Sequence, residues 1–188
     1  MTRIIAGAIG SIKLKPAAKA TRPTSDRVKE SIFGRLEAGN QIDGSSVLDL
    51  FAGTGALGLE AISRGARSAV FVEQDKPAAG LLQQNLDMAR KGLSVQGLEV
   101  DLTAVNRSAE RFLATNASLF DLVFVDPPYE LSETKLRDLL AELTKHLNQG
   151  AMVVVERSSK SSILLPEQLE KLGIKAYGDT QVAFCRFA

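Results

Sequence analysis

The fold of this chain is indicated most clearly by one stretch of its sequence, Leu48-Asp49-Leu50-Phe51-Ala52-Gly53-Thr54-Gly55-Ala56-Leu57-Gly58. A predicted strand over residues 46–50 leads into this stretch, and a predicted helix to about residue 64 leads out of it. Gly53, Gly55 and Gly58 satisfy the pattern G-x-G-x-x-G, in which glycines permit unusual backbone angles and let a ligand approach the main chain. The pattern is typical of sites for dinucleotides and other adenosine cofactors, although a tight strand-to-helix turn without a ligand also fits it.

On either side of this loop, apolar runs of strand length alternate with stretches of helical periodicity. We predict further strands at 69–72, 98–102, 122–125 and 152–155, and helices at 25–38, 76–91, 109–114 and 132–147. Pro166 predicts the start of a short helix, and residues 174–177 and 182–187 have the spacing of a hairpin. These units imply an α/β fold with a mostly parallel seven-stranded sheet, helices on both faces and an antiparallel hairpin at the C-terminal edge.

Acidic residues lie at the ends of two predicted strands, and ligands of such sheets bind beyond the carboxyl ends of the strands. Glu73 follows the second strand, about 20 residues after the first glycine, where a carboxylate accepts hydrogen bonds from ribose hydroxyls. A nicotinamide cofactor and S-adenosylmethionine both fit this position. Asp49 begins to separate them, because a carboxylate next to the loop repels a pyrophosphate and attracts the ammonium and sulfonium charges of S-adenosylmethionine.

A second motif, Asp126-Pro127-Pro128-Tyr129, directly follows the predicted strand at 122–125. It brings together a carboxylate, a stiff backbone with carbonyl acceptors, and a flat ring. Asp126 and the Pro127 carbonyl can accept the hydrogens of an amino group on a nucleobase, and Tyr129 can stack on the base. A rigid strand exit is the simpler explanation of two prolines, but the neighbouring cofactor loop favours a site for a planar, amino-bearing base.

The counts of cysteine and histidine exclude several kinds of chemistry. Cys185 is the only cysteine and His146 the only histidine, so the chain has no internal disulfide, Cys/His zinc site or Cys-Cys redox pair. We expect no metal. His146 lies at the end of a predicted helix without a nucleophile motif nearby, so we interpret it as a helix-end residue near the terminal carbonyls and not as a catalytic base.

The net charge of +1 is unevenly distributed along the chain. Residues 1–35 contain eight basic and two acidic residues and carry +6, so the rest of the chain carries −5. A basic arm on a mildly acidic domain indicates a polyanion that is bound at one end, although a solvated surface loop would have the same composition. The basic residues are Arg3, Lys13, Lys15, Lys19, Arg22, Arg27, Lys29 and Arg35.

Length and composition indicate one globular domain, because 188 residues with 45% hydrophobic and 24% charged residues are in the ordinary range for such a domain. No stretch approaches the roughly 18 apolar residues of a membrane span. The first residues also lack the features of a signal peptide. We therefore expect a cytoplasmic protein that does not contact membranes.

Two motifs together, Asp-x-x-x-Gly-x-Gly at residues 49–55 and Asp126-Pro127-Pro128-Tyr129, resemble the amino-group methyltransferases of the Rossmann-like, S-adenosylmethionine-dependent superfamily. Other stretches narrow the resemblance: residues 3–7, residues 22–33, residues 48–66 and Tyr177-Gly178-Asp179-Thr180 are similar to the bacterial 16S ribosomal RNA guanine-N2 methyltransferase family. This resemblance covers nearly the whole chain. It implies a Rossmann-like methyltransferase domain over residues 25–188, preceded by a basic arm over residues 1–24 that is not an independent domain.

The resemblance also implies a reaction, a substrate and a set of site residues. The 2-amino group of a guanine in 16S rRNA, within a small-subunit particle, would accept the methyl group, and we expect the enzyme to be a monomer. The cofactor would contact Asp49, Phe51, Gly53, Gly55, Glu73 and Asp126, and the adenine would lie at Ser108 and Ala109. The guanine would be held by Asp126, Pro127, Pro128 and Tyr129. The arm would bind RNA through Arg3, Lys13, Lys15, Lys19, Arg22, Thr24 and Arg27.

Three other functions compete with this hypothesis. A DNA adenine-N6 methyltransferase shares the tetrapeptide, but such an enzyme usually needs a sizeable segment to recognise its target, and no region here is free for one. An NAD-linked oxidoreductase would use the glycines and Glu73 and leave Asp126-Pro127-Pro128-Tyr129 unexplained. A non-catalytic RNA-binding domain that uses the basic arm alone would leave both motifs unexplained.

Overall fold

The computed structural model describes residues 2–16 and 25–188. These residues build a seven-stranded sheet in the order β3-β2-β1-β4-β5-β7-β6. The strands are β1 Ser46–Asp49, β2 Ser68–Val72, β3 Asp101–Val105, β4 Phe120–Val125, β5 Leu147–Ser158, β6 Leu169–Tyr177 and β7 Thr180–Phe187. The α-helices are α1 Asp26–Ala38, α2 Ala56–Ser63, α3 Lys76–Val95, α4 Ala109–Leu113 and α5 Glu133–Leu143.

The first five strands are parallel, and β7 pairs antiparallel with both β5 and β6. Apolar side chains cover both faces of the sheet. One buried cluster lies under α1, α2 and α3, and the other lies under α4 and α5. The central strand β4 is buried at five of its six positions, which explains its continuous apolar sequence. The predicted sheet, with helices on both faces and an antiparallel hairpin at the C-terminal edge, is confirmed.

The strand order reverses between β1 and β4, which are neighbours in the sheet although β2 and β3 separate them in the chain. Such a reversal opens a crevice at the carboxyl ends of the two strands. Asp49, the last residue of β1, pairs with Phe124 of β4. The Gly-rich loop and Asp126 therefore leave the sheet side by side, about 5 Å apart at the level of the strands.

Two predicted helices differ from the structure near the C-terminus. The helix predicted over 132–147 ends at Leu143 and is followed by a single 3-10 turn, because Leu147 already pairs with Phe120 of β4. No helix begins at Pro166, since β6 starts at Leu169 and pairs with β7. Both errors have one cause: the pairing of a strand with distant partners outweighed the local helical pattern.

The N-terminal residues form a small hairpin that packs on the domain. Ile4 and Leu14 are buried in the cluster under α1, α2 and α3, and Arg3 pairs antiparallel with Lys13. The turn needs a glycine at position 7, where φ is +84° and a Cβ atom would lie 1.8 Å from the Ser63 carbonyl oxygen. Lys19, Arg22 and Thr24 of the predicted arm lie outside the described residues.

None of the helices among the described residues combines the length and the apolar character that spanning a bilayer requires.

Candidate active site

The Gly-rich loop connects β1 to α2, and its three glycines serve different purposes. Gly53 and Gly55 have positive φ angles of +52° and +81°, which side chains rarely adopt. Gly58 lies inside α2, where a Cβ atom would approach the Phe71 ring to 2.4 Å. The first two glycines therefore shape the turn, and the third allows α2 to pack closely on β2.

Glu73 joins the end of β2 to the Gly-rich loop. Its Oε2 accepts a hydrogen bond from the Gly53 amide at 2.9 Å, and its Oε1 accepts one from the Asp75 amide at 2.8 Å. Asn106, which follows β3, donates from Nδ2 to the carbonyl oxygens of Glu73 and Gln74 at 2.7 and 3.1 Å. The structure thus brings Glu73 to the loop, and it adds Asn106. No sequence signal pointed to Asn106, because the third strand was predicted to end at residue 102 and ends at Val105.

Asp49 lies beneath the Gly-rich loop and is almost completely buried. Its Oδ2 accepts a hydrogen bond from the Gly58 amide at 3.1 Å. Burial raises the pKa of this carboxyl from 3.8 to about 7, the bond from Gly58 opposes the shift, and the nearby charge of Glu73 adds to it. Asp49 can therefore change protonation near neutral pH, and a cation bound at the loop would favour its ionised form.

Asn85 connects the Gly-rich loop to the N-terminal segment. It projects from α3, is fully buried, and donates from Nδ2 to the carbonyl oxygen of Thr54 at 2.9 Å. The same side chain exchanges two hydrogen bonds with the main chain of Lys15, at 2.9 Å to the amide and 3.3 Å to the carbonyl. The sequence offered one signal for this role, an amide side chain on the otherwise apolar face of a helix.

Ser108 and Ala109 lie at the start of α4, after β3. The Ser108 hydroxyl is the N-cap of this helix and accepts a hydrogen bond from the Arg111 amide at 3.3 Å. Ala109 is buried against the cluster under α4 and α5, and Phe51 packs on the same cluster. Ser108 therefore has a capping role of its own.

The residues after β4 form a constrained loop at the crevice. Pro127 is buried, Pro128 is exposed, and the Tyr129 side chain is 52% exposed. The Pro128 carbonyl is occupied, since it accepts hydrogen bonds from the Leu131 amide at 3.0 Å and from Arg157 Nη1 at 3.1 Å. The loop thus displays an aromatic ring at the end of β4.

The described basic residues of the N-terminal region have different environments. Lys13, Lys15, Arg27 and Arg3 are exposed; the Arg3 guanidinium contacts Asp26 at 3.2 Å and the Lys15 ammonium contacts Gln84 at 2.7 Å. Arg27 also lines a cavity of about 300 Å³ beside Tyr177. Lys29 is different, because it is fully buried and its ammonium contacts the Arg3 carbonyl and Asp26. Its charge is therefore not available to a polyanion.

His146 ends the 3-10 turn before β5 and is buried, with Nδ1 at 3.3 Å from the Asn116 side-chain nitrogen. It lies at the amino-terminal end of β5, whereas both motifs lie at the carboxyl ends of their strands. The described residues contain no group of three or more histidine, cysteine or acidic side chains that could hold a metal ion.

The crevice between β1 and β4, with a Gly-rich loop and acidic residues on one side and Asp126 to Tyr129 on the other, is the arrangement of a Rossmann-like methyltransferase. The chain belongs to the family described as Conserved hypothetical protein 95, whose model matches residues 2–186.

Bacterial relatives match nearly the whole chain. YlbH of Bacillus subtilis is 36% identical over 187 residues, 96% of each chain. Ribosomal RNA small subunit methyltransferase D of Haemophilus influenzae is 36% identical over 179 residues, 94% of this chain and 89% of the relative. Among solved structures, yhhF of Escherichia coli superimposes with a TM-score of 0.81 at 31% identity, over 98% of this chain and 97% of that one.

S-adenosylmethionine is the cofactor of this enzyme class, and the residues present fit it. Gly53 and Gly55 leave the loop without side chains where a ligand would approach the main chain. Glu73 is an acidic residue beside the loop, and Asp49, whose pKa is raised to about 7, would ionise when a cation binds. Both suit a cofactor that carries ammonium and sulfonium charges.

Proposed function

We propose that this protein transfers a methyl group from S-adenosylmethionine to the exocyclic 2-amino group of a guanine in 16S ribosomal RNA. One observation carries the proposal: Asp126-Pro127-Pro128-Tyr129 leaves the sheet next to the Gly-rich loop, because β4 and β1 are neighbours. A base held at β4 would therefore lie beside a cofactor held at β1. The name of the Haemophilus relative, a small-subunit ribosomal RNA methyltransferase, supports RNA as the substrate.

The residues after β4 suit a weakly nucleophilic amino group. The lone pair of such a nitrogen is delocalised into the ring, so the nitrogen has to be held in line with the methyl group and its hydrogens drawn by acceptors. In the proposed site Asp126 and the Pro127 carbonyl accept these hydrogens, and Tyr129 stacks on the base. The bound cofactor supplies the electrophilic methyl group. As the bond from the nitrogen to the methyl carbon forms, the bond from that carbon to the cofactor's sulfur would break. Asp126 would stabilise the positive charge on the nitrogen, and the nitrogen's proton would then pass to water.

The cofactor would be held mainly by the loop after β1 and by Glu73. In this proposal Gly53 and Gly55 let the cofactor approach the main chain, Glu73 accepts from the ribose, and Asp49 faces the positive charges. Phe51 and the start of α4, at Ser108 and Ala109, would border the adenine. Because the Ser108 hydroxyl caps α4, we assign its main chain and not its side chain to that contact.

Asp49 is expected to make the stability of the free protein depend on pH. The folded chain holds this carboxyl with a pKa of about 7 and the unfolded chain near 3.8, so between these values only the folded state keeps the proton. The free energy of unfolding should therefore fall as pH rises from about 4 to about 7, by at most about 4 kcal/mol from this group. Asp49→Asn should remove that part of the slope.

Denaturant titrations of the parent and of Asp49→Asn from pH 4 to pH 8 measure the effect, because other carboxyls contribute equally to both proteins. Calorimetry adds a second reading: binding of S-adenosylmethionine should strengthen with pH up to about 7 in the parent and stay flat in the variant. Parallel stability curves for the two proteins would show that Asp49 does not titrate in this range.

The RNA would be bound by the exposed basic residues near the N-terminus. Arg3, Lys13, Lys15 and Arg27 lie on the described surface, and Lys19, Arg22 and Thr24 belong to the proposed contact on the basis of the sequence alone. Residues 1–24 would act as an arm attached to the domain at 25–188. We propose a cytoplasmic monomer that acts on the RNA within a small-subunit particle.

One experiment tests the proposed function. The protein is incubated with a labelled methyl donor and with unmodified 16S rRNA or small subunits, and the modified nucleotide is then mapped. We expect label at N2 of one guanine. Label in adenine of a DNA substrate offered in parallel, with none in the RNA, would support the DNA adenine-N6 alternative and contradict our proposal.

The same assay tests the arm. The double variant Lys13→Glu/Lys15→Glu should raise the KM for RNA about tenfold or more at low salt and flatten its salt dependence, because two phosphate contacts are lost. Lys145→Glu/Lys160→Glu, two exposed lysines far from the N-terminus in sequence, is the matched control. An RNA KM that does not depend on salt in the parent would contradict the assignment.

A further inference from the structure

Arg157 is a buried arginine at the carboxyl end of β5, and none of the sequence motifs includes it. Its side chain is 2% exposed. Arg157 pairs with Gln181 of β7, two residues along from the pair of Val155 with Ala183. Residues two apart on a strand share a face, and Val155 and Ala183 belong to the cluster under α4 and α5. The guanidinium therefore lies on the α5 side of the sheet, next to the residues that follow β4.

The guanidinium holds the loop after β4 at two points. Nη1 donates to the Pro128 carbonyl at 3.1 Å, and Nη2 donates to the Leu131 carbonyl at 2.7 Å. The Leu131 amide also donates to the Pro128 carbonyl at 3.0 Å. The turn from Pro128 to Leu131 is thus closed by a main-chain bond and clamped at both ends by one planar, charged group, and Tyr129 is the residue that this turn displays.

The base of the clamp is rigid. β5 pairs with β4 as far as Val155 and with β7 as far as Ser158, so at Arg157 the strand is held by β7 alone. The Gln181 side chain, opposite Arg157, donates to the carbonyl oxygens of Ser158 and Ser161. The main chain of Arg157 is therefore held in the sheet, and the two hydrogen bonds of its guanidinium tie the loop to that sheet.

Burial of this guanidinium is costly, which argues against a role in packing alone. Among the described residues, its third donor atom, Nε, has no hydrogen-bond acceptor. An apolar side chain of similar length would fill the same space without a buried charge. What only arginine supplies here is a rigid pair of donors, Nη1 and Nη2, that bind two carbonyl groups at once.

We propose that Arg157 is a positioning residue for the target base. It fixes the turn from Pro128 to Leu131 so that the Tyr129 ring is held where a base would stack. Asp126, which only Pro127 separates from the turn, then also keeps its direction. This role rests on the proposed assignment of Asp126 to Tyr129. It acts through the loop after β4, whereas all the proposed cofactor contacts except Asp126 lie after β1, β2 and β3.

The chain offers a direct probe of this role, because it contains two tyrosines and no tryptophan. In a Tyr177→Phe background, Tyr129 is the only source of tyrosine fluorescence. Arg157→Met keeps the length of the side chain and removes its donors. We expect lower fluorescence anisotropy and stronger acrylamide quenching of Tyr129. We also expect kcat for methyl transfer to fall about 10- to 100-fold, with the Kd for S-adenosylmethionine within about twofold of the parent.

Arg137→Met is the matched control, because Arg137 is an exposed arginine of α5 that pairs with the neighbouring Asp138. Arg137→Met should change neither the fluorescence of Tyr129 nor kcat. If Arg157→Met does not fold, Arg157→Lys is tested in its place. One ammonium group cannot replace the two donor atoms of the guanidinium that hold both carbonyls. The anisotropy and kcat of this variant should therefore lie between those of the parent and those expected for Arg157→Met. Parent-like fluorescence and kcat in a folded Arg157 variant would overturn the proposal.

The two readings also separate this inference from the proposed function. The fluorescence measurement needs no substrate. If Tyr129 becomes more mobile in Arg157→Met but the parent methylates no guanine, the role of Arg157 in holding the turn is supported and the proposed reaction is contradicted. If the parent methylates guanine but the fluorescence of Tyr129 does not change in Arg157→Met, only the proposed role of Arg157 is contradicted.

Discussion

Asp126→Ala is expected to lower the rate of methyl transfer about 100- to 1000-fold. In the proposed site the Asp126 carboxylate draws the hydrogens of the amino group and stabilises the positive charge that develops on its nitrogen. Alanine supplies neither interaction. Asp126 is also a proposed cofactor contact, but most of the proposed contacts come from the loop after β1 and from Glu73. The Kd for S-adenosylmethionine should therefore rise by less than about tenfold.

Single-turnover kinetics with the mapped RNA substrate measure this effect, and calorimetry measures cofactor binding by the same proteins. Asp138→Ala, at an exposed aspartate of α5, is the control for general effects of removing a carboxylate. Asp126→Asn keeps one side-chain oxygen as an acceptor and should lie between the parent and the alanine variant. An Asp126→Ala protein that transfers methyl groups at the parental rate would exclude this residue from the reaction.

Glu60→Ala is expected to lower the free energy of unfolding by about 3–5 kcal/mol. Glu60 is fully buried in α2 and anchors the N-terminal hairpin. Its Oε2 accepts from the Ile5 amide at 2.6 Å, and its Oε1 accepts from the Ala6 amide at 3.1 Å and from Arg64 at 2.7 Å. Removing the carboxylate leaves two main-chain donors and one side of a guanidinium without their acceptor.

Equilibrium denaturation by urea measures the loss. Glu37→Ala is a close control, since Glu37 pairs with the same Arg64 at 2.9 Å but is half exposed, and its removal should cost less than about 1 kcal/mol. Hydrogen exchange at the Ile5 and Ala6 amides should accelerate in Glu60→Ala and not in Glu37→Ala. Equal denaturation midpoints for Glu60→Ala and the parent would mean that the hairpin is not anchored through this residue.

Much of the fold could be predicted because its signals are local. Helix α1 begins after the cap at Ser25 and ends at Ala38 as expected, since capping and apolar periodicity act over a few residues. Four of the five parallel strands were recognisable from short apolar runs, but the third, predicted at 98–102, lies at Asp101–Val105. The incorrect assignments, a helix continuing to residue 147 and a helix at Pro166, lie where β5 and β6 gain partners far along the chain.

The site divides in the same way. The loop glycines, Glu73 and Asp126-Pro127-Pro128-Tyr129 stand out in the sequence because glycine, proline and an acid at a strand end have special properties by themselves. Asn85 and Arg157 do not stand out. Their importance comes from partners 70 residues away at Lys15 and 29 residues away at Pro128, and no local pattern identifies such pairs.

By itself, the sequence determined that this protein has an α/β sheet, a loop suited to an adenosine cofactor and a rigid, acid-bearing strand end, because these features depend on residues that are neighbours in the chain. Only the tertiary structure decided that the loop and the strand end meet at one crevice, that Lys29 is buried while Lys13 is exposed, and that Arg157 holds the turn at Tyr129. These outcomes depend on which strands pair and which polar groups lose water, and both are set by contacts between residues distant in sequence.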